Sequence, residues 1–164
     1  METVHKLEST FAKWYEKAPH LPKGGRDWIA DNIWWIVLIG VIIGAMGIVG
    51  ILAALLLGTA LLGVAGGVFG IAAGSAITLA ILTSFAFTIA IIILHALAIQ
   101  PLRAKQKRGW ELVFVTMLLD IAMTILNLLF GGHFSNFLQG LIGVAIGGYL
   151  LFEIRSHFVL AHKS

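Results

Sequence analysis

At 164 residues, 59% hydrophobic and 12% charged, with a mean hydropathy of +0.97, the chain has the composition of an integral membrane protein, not a soluble globular domain. Its net charge of +3 comes from basic residues set beside apolar runs, which excludes a nucleic-acid patch and reads as topology signals facing anionic lipid. The absence of Cys excludes disulfides, thiolate catalysis and Cys-ligated metal.

Residues 1–18 carry an amphipathic pattern. Val4, Leu7, Phe11, Trp14 and Ala18 recur at helical spacings with Tyr15 beside them, and charged residues fill the remainder. Such a helix suits two placements: in the headgroup region with Phe11 and Trp14 toward the acyl boundary, or packed on the protein's own loops. No apolar signal-peptide segment precedes the first span. Pro19, Pro22 and Gly24-Gly25 predict an elbow. Lys23-Gly24-Gly25 lacks the spacing of a phosphate loop. Arg26, Asp27 and Asp31 then bring the chain to the membrane surface, where Trp28, Trp34 and Trp35 read as an interfacial belt.

Residues 32–102 contain no Lys, Arg, Asp or Glu, far more than the roughly 20 apolar residues that one crossing needs. The first span, 33–57, carries Gly40, Gly44, Gly47 and Gly50, which predict a close-packing helix face of the glycine-zipper kind. Residues 58–74 are Gly-rich, with Gly66, Gly70 and Gly74 in a small-xxx-small series, and fit an embedded connector, an interfacial segment or part of a longer span. The second span, 75–99, is seeded with Thr78, Thr83, Ser84 and Thr88, whose hydroxyls are expected to bond back to the helix or to a neighbour. His95 lies near its end, and Pro101 is expected to terminate it.

Arg103, Lys105, Lys107 and Arg108 form the most basic loop and read as topology and headgroup residues. The third span, 109–130, opens with Trp110 and contains Asp120, with Thr116 and Thr124 one turn to either side and Asn127 further on. An uncharged turn at 131–135 leads to the fourth span, 136–154, where Gly140, Gly143 and Gly147 predict a second packing face. Glu153 and Arg155 read as snorkelling to headgroups. His133, His157 and His162 lack metal-ligand spacing and are expected to be exposed.

Charge fixes the expected topology. The 11 Lys and Arg residues lie before the first span, in the 103–108 loop or after the fourth span, and none lies in 58–74 or 131–135. The positive-inside rule puts all of them in the cytoplasm, which requires two crossings within 32–102 and two more after Gly109. A three-span reading of 32–102 would export one basic segment. The predicted fold is all-α: a polytopic transmembrane four-helix bundle (32–155), preceded by a cytoplasmic amphipathic helix and elbow (1–31) and followed by a cytoplasmic tail (156–164).

The amphipathic start leading to Leu21-Pro22-Lys23-Gly24-Gly25, the segment from Gln100-Pro101-Leu102-Arg103 through Gly109-Trp110, and the final Leu150-Leu151-Phe152-Glu153-Ile154-Arg155 together resemble small, largely uncharacterised bacterial four-pass membrane proteins. The resemblance implies four spans and a bacterial inner (cytoplasmic) membrane location. It implies no activity, cofactor or site.

Asp120 is the acidic residue deep in a span, about 15 Å below Trp110 at helical rise. An unpaired carboxylate there costs about 2.5–3.5 kcal/mol, so it is expected to be protonated, paired or hydrated. It serves either as a polar staple between helices or as an ion- or proton-coupling group. His95, about 10 Å deep on an antiparallel neighbour, is expected to share a polar network with it through Thr88, Thr116 or Thr124, and Asn127 belongs to the same set of intramembrane polar residues. No nucleophile elbow or metal set appears, so no enzyme, metal or cofactor is expected. The expected role is a glycine-packed module that self-associates or binds other membrane proteins, with the bilayer as its solvent. The alternative is a small oligomeric transporter or channel using Asp120.

Overall fold

The computed structural model describes residues 2–129 and 133–158. The Gly131-Gly132 part of the predicted turn, His162 and Lys163 lie outside them, and of Gly66, Gly70 and Gly74 the structure describes the backbone alone. Helix α1 is Glu2–Tyr15, α2 is Lys23–Arg103, α3 is Lys107–Leu129 and α4 is Phe134–Glu153, followed by a short 3-10 turn, Arg155–His157. Four helical segments are long and apolar enough to cross a membrane: Lys23–Gly58, Ile81–Arg103, Lys107–Leu129 and Phe134–Glu153.

The residues of α2 are helical throughout, yet its two ends meet. The Lys105 ammonium lies 2.7 Å from Asp31, the Arg103 guanidinium covers Trp34 at 4.6 Å, and a Cβ at Gly44 would meet Ile92 at 2.9 Å. A straight helix would hold residues 44 and 92 roughly 70 Å apart. The chain therefore doubles back between them, and α2 comprises two antiparallel arms, Lys23–Gly58 and Ile81–Arg103. Residues 58–80 are helical in backbone, so the reversal is made without a long extended loop. Glycine disfavours a helix in water, but in lipid the helix is the local way to satisfy each backbone N–H and C=O.

Element ends differ from the sequence expectation at three points. The first arm starts at Lys23 with Pro22 as its N-cap, so Gly24 and Gly25 belong to its first turn and the elbow lies within 16–22. That helix crosses the expected boundary at residue 31. The second arm continues through Pro101 to Arg103.

The core sits at the end of the bundle that carries the basic residues. Ala30, Ile33 and Val37 of the first arm, Ala98 and Leu102 of the second, Trp110, Phe114 and Met117 of α3, and Leu151, Ile154 and Phe158 form one buried cluster. Trp110 and Phe114 stack at 5.5 Å, and Phe152 meets both edge-on. The indole of Trp110 donates to the Leu151 carbonyl at 2.7 Å, which pins the start of α3 to the end of α4.

The tight 104–106 turn joins α2 to α3. Lys105 adopts a positive φ of 53° there, and a Cβ at Gly109 would lie 2.6 Å from the Leu102 backbone nitrogen. Glycine at 109 is what permits the two helix ends to touch.

Helix α1 divides its apolar face between the two expected placements. Phe11 packs on Phe114 and Phe152, Tyr15 stacks on Phe152 at 5.2 Å, and the Tyr15 hydroxyl donates to the Ala145 carbonyl at 3.2 Å. Trp14 stays 65% exposed. The helix thus closes over α3 and α4 while Trp14 faces outward. Burial pushes the Tyr15 phenol pKa up, so the hydroxyl keeps its proton.

Candidate functional site

Thr116, Asp120 and Thr124 stand one turn apart on α3 and face α4, where Gly140, Gly143 and Gly147 occupy the matching positions. With His95 from the second arm of α2, they line a cavity of about 380 Å³ that also touches Met117, Met123 and Val144. The glycines divide into two kinds. A Cβ at Gly140 would come within 2.8 Å of Thr124, so this glycine sets the α3–α4 approach. Gly143 and Gly147 have nothing within 4 Å and form the open floor of the cavity.

The hydrogen bonds around the cavity are directional. The Thr116 hydroxyl donates its single proton to the Val113 carbonyl at 2.8 Å. His95 Nε2 lies 2.9 Å from the same oxygen, and when the hydroxyl proton is given to Val113 the imidazole N–H is the donor. That leaves Nδ1 of a neutral His95 with a lone pair. Thr124 donates back to the Asp120 carbonyl at 2.7 Å. The Asp120 carboxyl makes no hydrogen bond or ion pair among the described residues.

His95 and Asp120 thus share one cavity, but the partner of the imidazole is Thr116. Thr88 turns back to the Ser84 carbonyl at 2.8 Å. Asn127 lies further along α3, in a second cavity of about 210 Å³ shared with His133 and Asn136. Thr124 lines both cavities, so a polar strip runs from His95 toward the uncharged end of the bundle.

On the first arm, Gly44 packs against Ile92, whereas Gly40, Gly47 and Gly50 have nothing within 4 Å. These open glycines sit among exposed apolar side chains such as Ile43 and Met46. In the basic loop, Lys105 pairs with Asp31, Lys107 lies 3.6 Å from Glu111, Arg103 covers Trp34 and Arg108 is exposed.

Glu153 is buried and His157 only 29% exposed, where exposed side chains were expected, whereas Arg155 remains 45% exposed. The Glu153 side chain is 5% exposed, with His20 Nδ1 at 2.6 Å and the Leu21 N–H at 3.0 Å. Arg155 reaches Glu8 of α1 at 2.6 Å, and His157 reaches Asp27 at 2.9 Å. Glu153 is recruited by the elbow, Arg155 by α1 and His157 by the start of α2, each a contact across more than a hundred residues that no local pattern announces. Among the described residues, no group of three or more His, Asp or Glu is placed to hold a metal ion.

Compared with known proteins, the chain matches no family model, no curated protein and no solved structure.

Proposed function

We propose that the chain is a multi-pass inner-membrane protein, with both termini cytoplasmic, that works by associating with other transmembrane helices, first of all with copies of itself. One observation carries this reading. Asp120 lines a glycine-floored cavity with no partner for its carboxyl among the described residues. In hydrocarbon such a carboxyl costs about 2.5–3.5 kcal/mol. A helix seated over Gly143 and Gly147 would cover the opening, gain close backbone contact and supply a hydrogen-bond partner. The open Gly40, Gly47 and Gly50 offer a second surface of the same kind.

The absence of Cys makes the test direct. A single Gly143→Cys should form a disulfide-linked dimer in native membranes under mild oxidation. Gly143→Leu should lower the assembled fraction of the purified protein. Failure of both, with a folded monomer throughout, removes the proposal.

The polar strip favours a second reading, a small oligomeric carrier or channel for protons or small cations. Thr116, Asp120, Thr124 and Asn127 line adjoining cavities, and His95 offers a lone pair beside the carboxyl's cavity. Proteoliposomes should then show a flux that Asp120→Asn abolishes. No flux above empty vesicles rejects this reading and leaves association standing.

A further inference from the structure

The basic end of the bundle holds a larger cavity, about 550 Å³, which neither reading above uses. It lies between α1, the elbow, the first turn of α2, the start of α3 and the chain leaving α4. Three permanent cations line it from three separate segments: Arg26, Lys107 and Arg155, with the half-exposed His20 at its edge.

These cations retain unused donors. Arg26 Nε is buried and has no hydrogen-bond partner. Its nearest carboxylate oxygen, Glu153 Oε2, is 3.9 Å away and already accepts the Leu21 N–H. The other Glu153 oxygen is held by His20. Lys107 is 3.6 Å from Glu111, an ion pair too long for a hydrogen bond. Arg155 gives Nε and Nη2 to Glu8, which leaves Nη1 unengaged. Arg26 Nε is the buried donor here, although the side chain as a whole is 35% exposed, and an anionic oxygen entering the cavity would satisfy it.

Other features of the site favour phosphate as the source of that oxygen. The first turns of α2 and α3 contain no acidic residue of their own, so apart from Glu153, which accepts the Leu21 N–H just before α2, the two helix ends add positive potential to the site. The cavity stands at the level of Trp110 and the basic loop, where lipid phosphates meet a bundle. Two guanidiniums and an ammonium suit the several oxygens of a phosphate. Of the two lining carboxylates, Glu153 is occupied and Glu16 is exposed.

We propose that this cavity binds a phosphate group through Arg26, Lys107 and Arg155, supplied by an anionic lipid headgroup or by a soluble phosphoryl compound. The test uses the full chain in nanodiscs of neutral phosphatidylcholine, with thermal unfolding as the readout. Phosphatidic acid in the disc should raise the melting temperature, and titration should give an apparent affinity that Arg26→Gln and Lys107→Gln each weaken about tenfold or more. Lys23→Gln, an exposed cation nearby, should leave that affinity unchanged. If Arg26→Gln fails to fold, Lys107→Gln carries the comparison.

Two further arms identify the source. A shift with inorganic phosphate or glycerol phosphate in neutral discs, lost in the same variants, assigns the site to a soluble phosphoryl ligand. A shift confined to phosphatidic acid assigns it to lipid. No shift with either, or an equal shift in the wild type and both variants, overturns the proposal.

Discussion

Gly109→Ala tests how the turn between α2 and α3 is built. An added Cβ would lie 2.6 Å from the Leu102 backbone nitrogen, 2.8 Å from the Pro101 carbonyl carbon and 3.0 Å from Leu102 Cγ. Two of these atoms are backbone, so no rotamer change relieves the contact. Leu102 is also fully buried against Trp110 and Phe114. Overpacking of this kind costs about 1–3 kcal/mol, and alanine recovers at most about 1 kcal/mol of helix propensity, less in a first turn. The net expectation is a loss of about 1–2 kcal/mol, read as a lowered melting temperature in detergent. Gly143→Ala is the control, because its Cβ would meet nothing within 4 Å. In a monomeric micelle it should be neutral or stabilising by up to about 1 kcal/mol. Equal effects at the two positions would refute this account of the helix junction.

Trp110→Phe should cost roughly 1–3 kcal/mol, because the Leu151 carbonyl would lose its buried donor; unchanged unfolding would mean that bond is dispensable. Phe11→Ala should release α1 from Phe114 and Phe152, and trypsin should then cut faster at Lys13 and Lys17. Lys105→Gly should leave the melting temperature unchanged or raise it, because its φ of 53° suits glycine and the exposed pair with Asp31 holds little. A reporter active only outside the cytoplasm should be silent when fused to Ser164 and active when inserted within 131–135, and the reverse pattern would end the proposed topology.

Charge made the two pairs of apolar segments legible: the residues before Asn32 and the basic 103–108 loop bracket both arms of α2, and the positive-inside rule, not an intervening charge, divides 32–102 into two crossings. Periodicity also put Thr116, Asp120 and Thr124 on one face of α3, and the structure lines one cavity with them. A glycine stripe, however, does not say which of its members meets a neighbour. Gly44 and Gly140 do so within the chain, whereas Gly40, Gly47, Gly143 and Gly147 do not. That distinction depends on where the helices cross. The burial of Glu153 was hidden for a related reason: a carboxylate at a span exit reads as snorkelling until the elbow brings His20 and the Leu21 N–H onto it. The sequence left 58–74 open between a connector, an interfacial segment and part of a longer span, because glycine propensities are measured in water, where an unpaired backbone has water to bond.

The central claim is association through the glycine-floored cavity at Asp120. Mass determination of the protein extracted directly into native-lipid nanodiscs, wild type beside Gly143→Leu, tests it most directly. The account predicts a particle of two or more chains for the wild type and a marked shift toward the single 17.7 kDa chain for the variant. A wild type that is monomeric at every loading, or an assembly unaffected by leucine at 143, would contradict it.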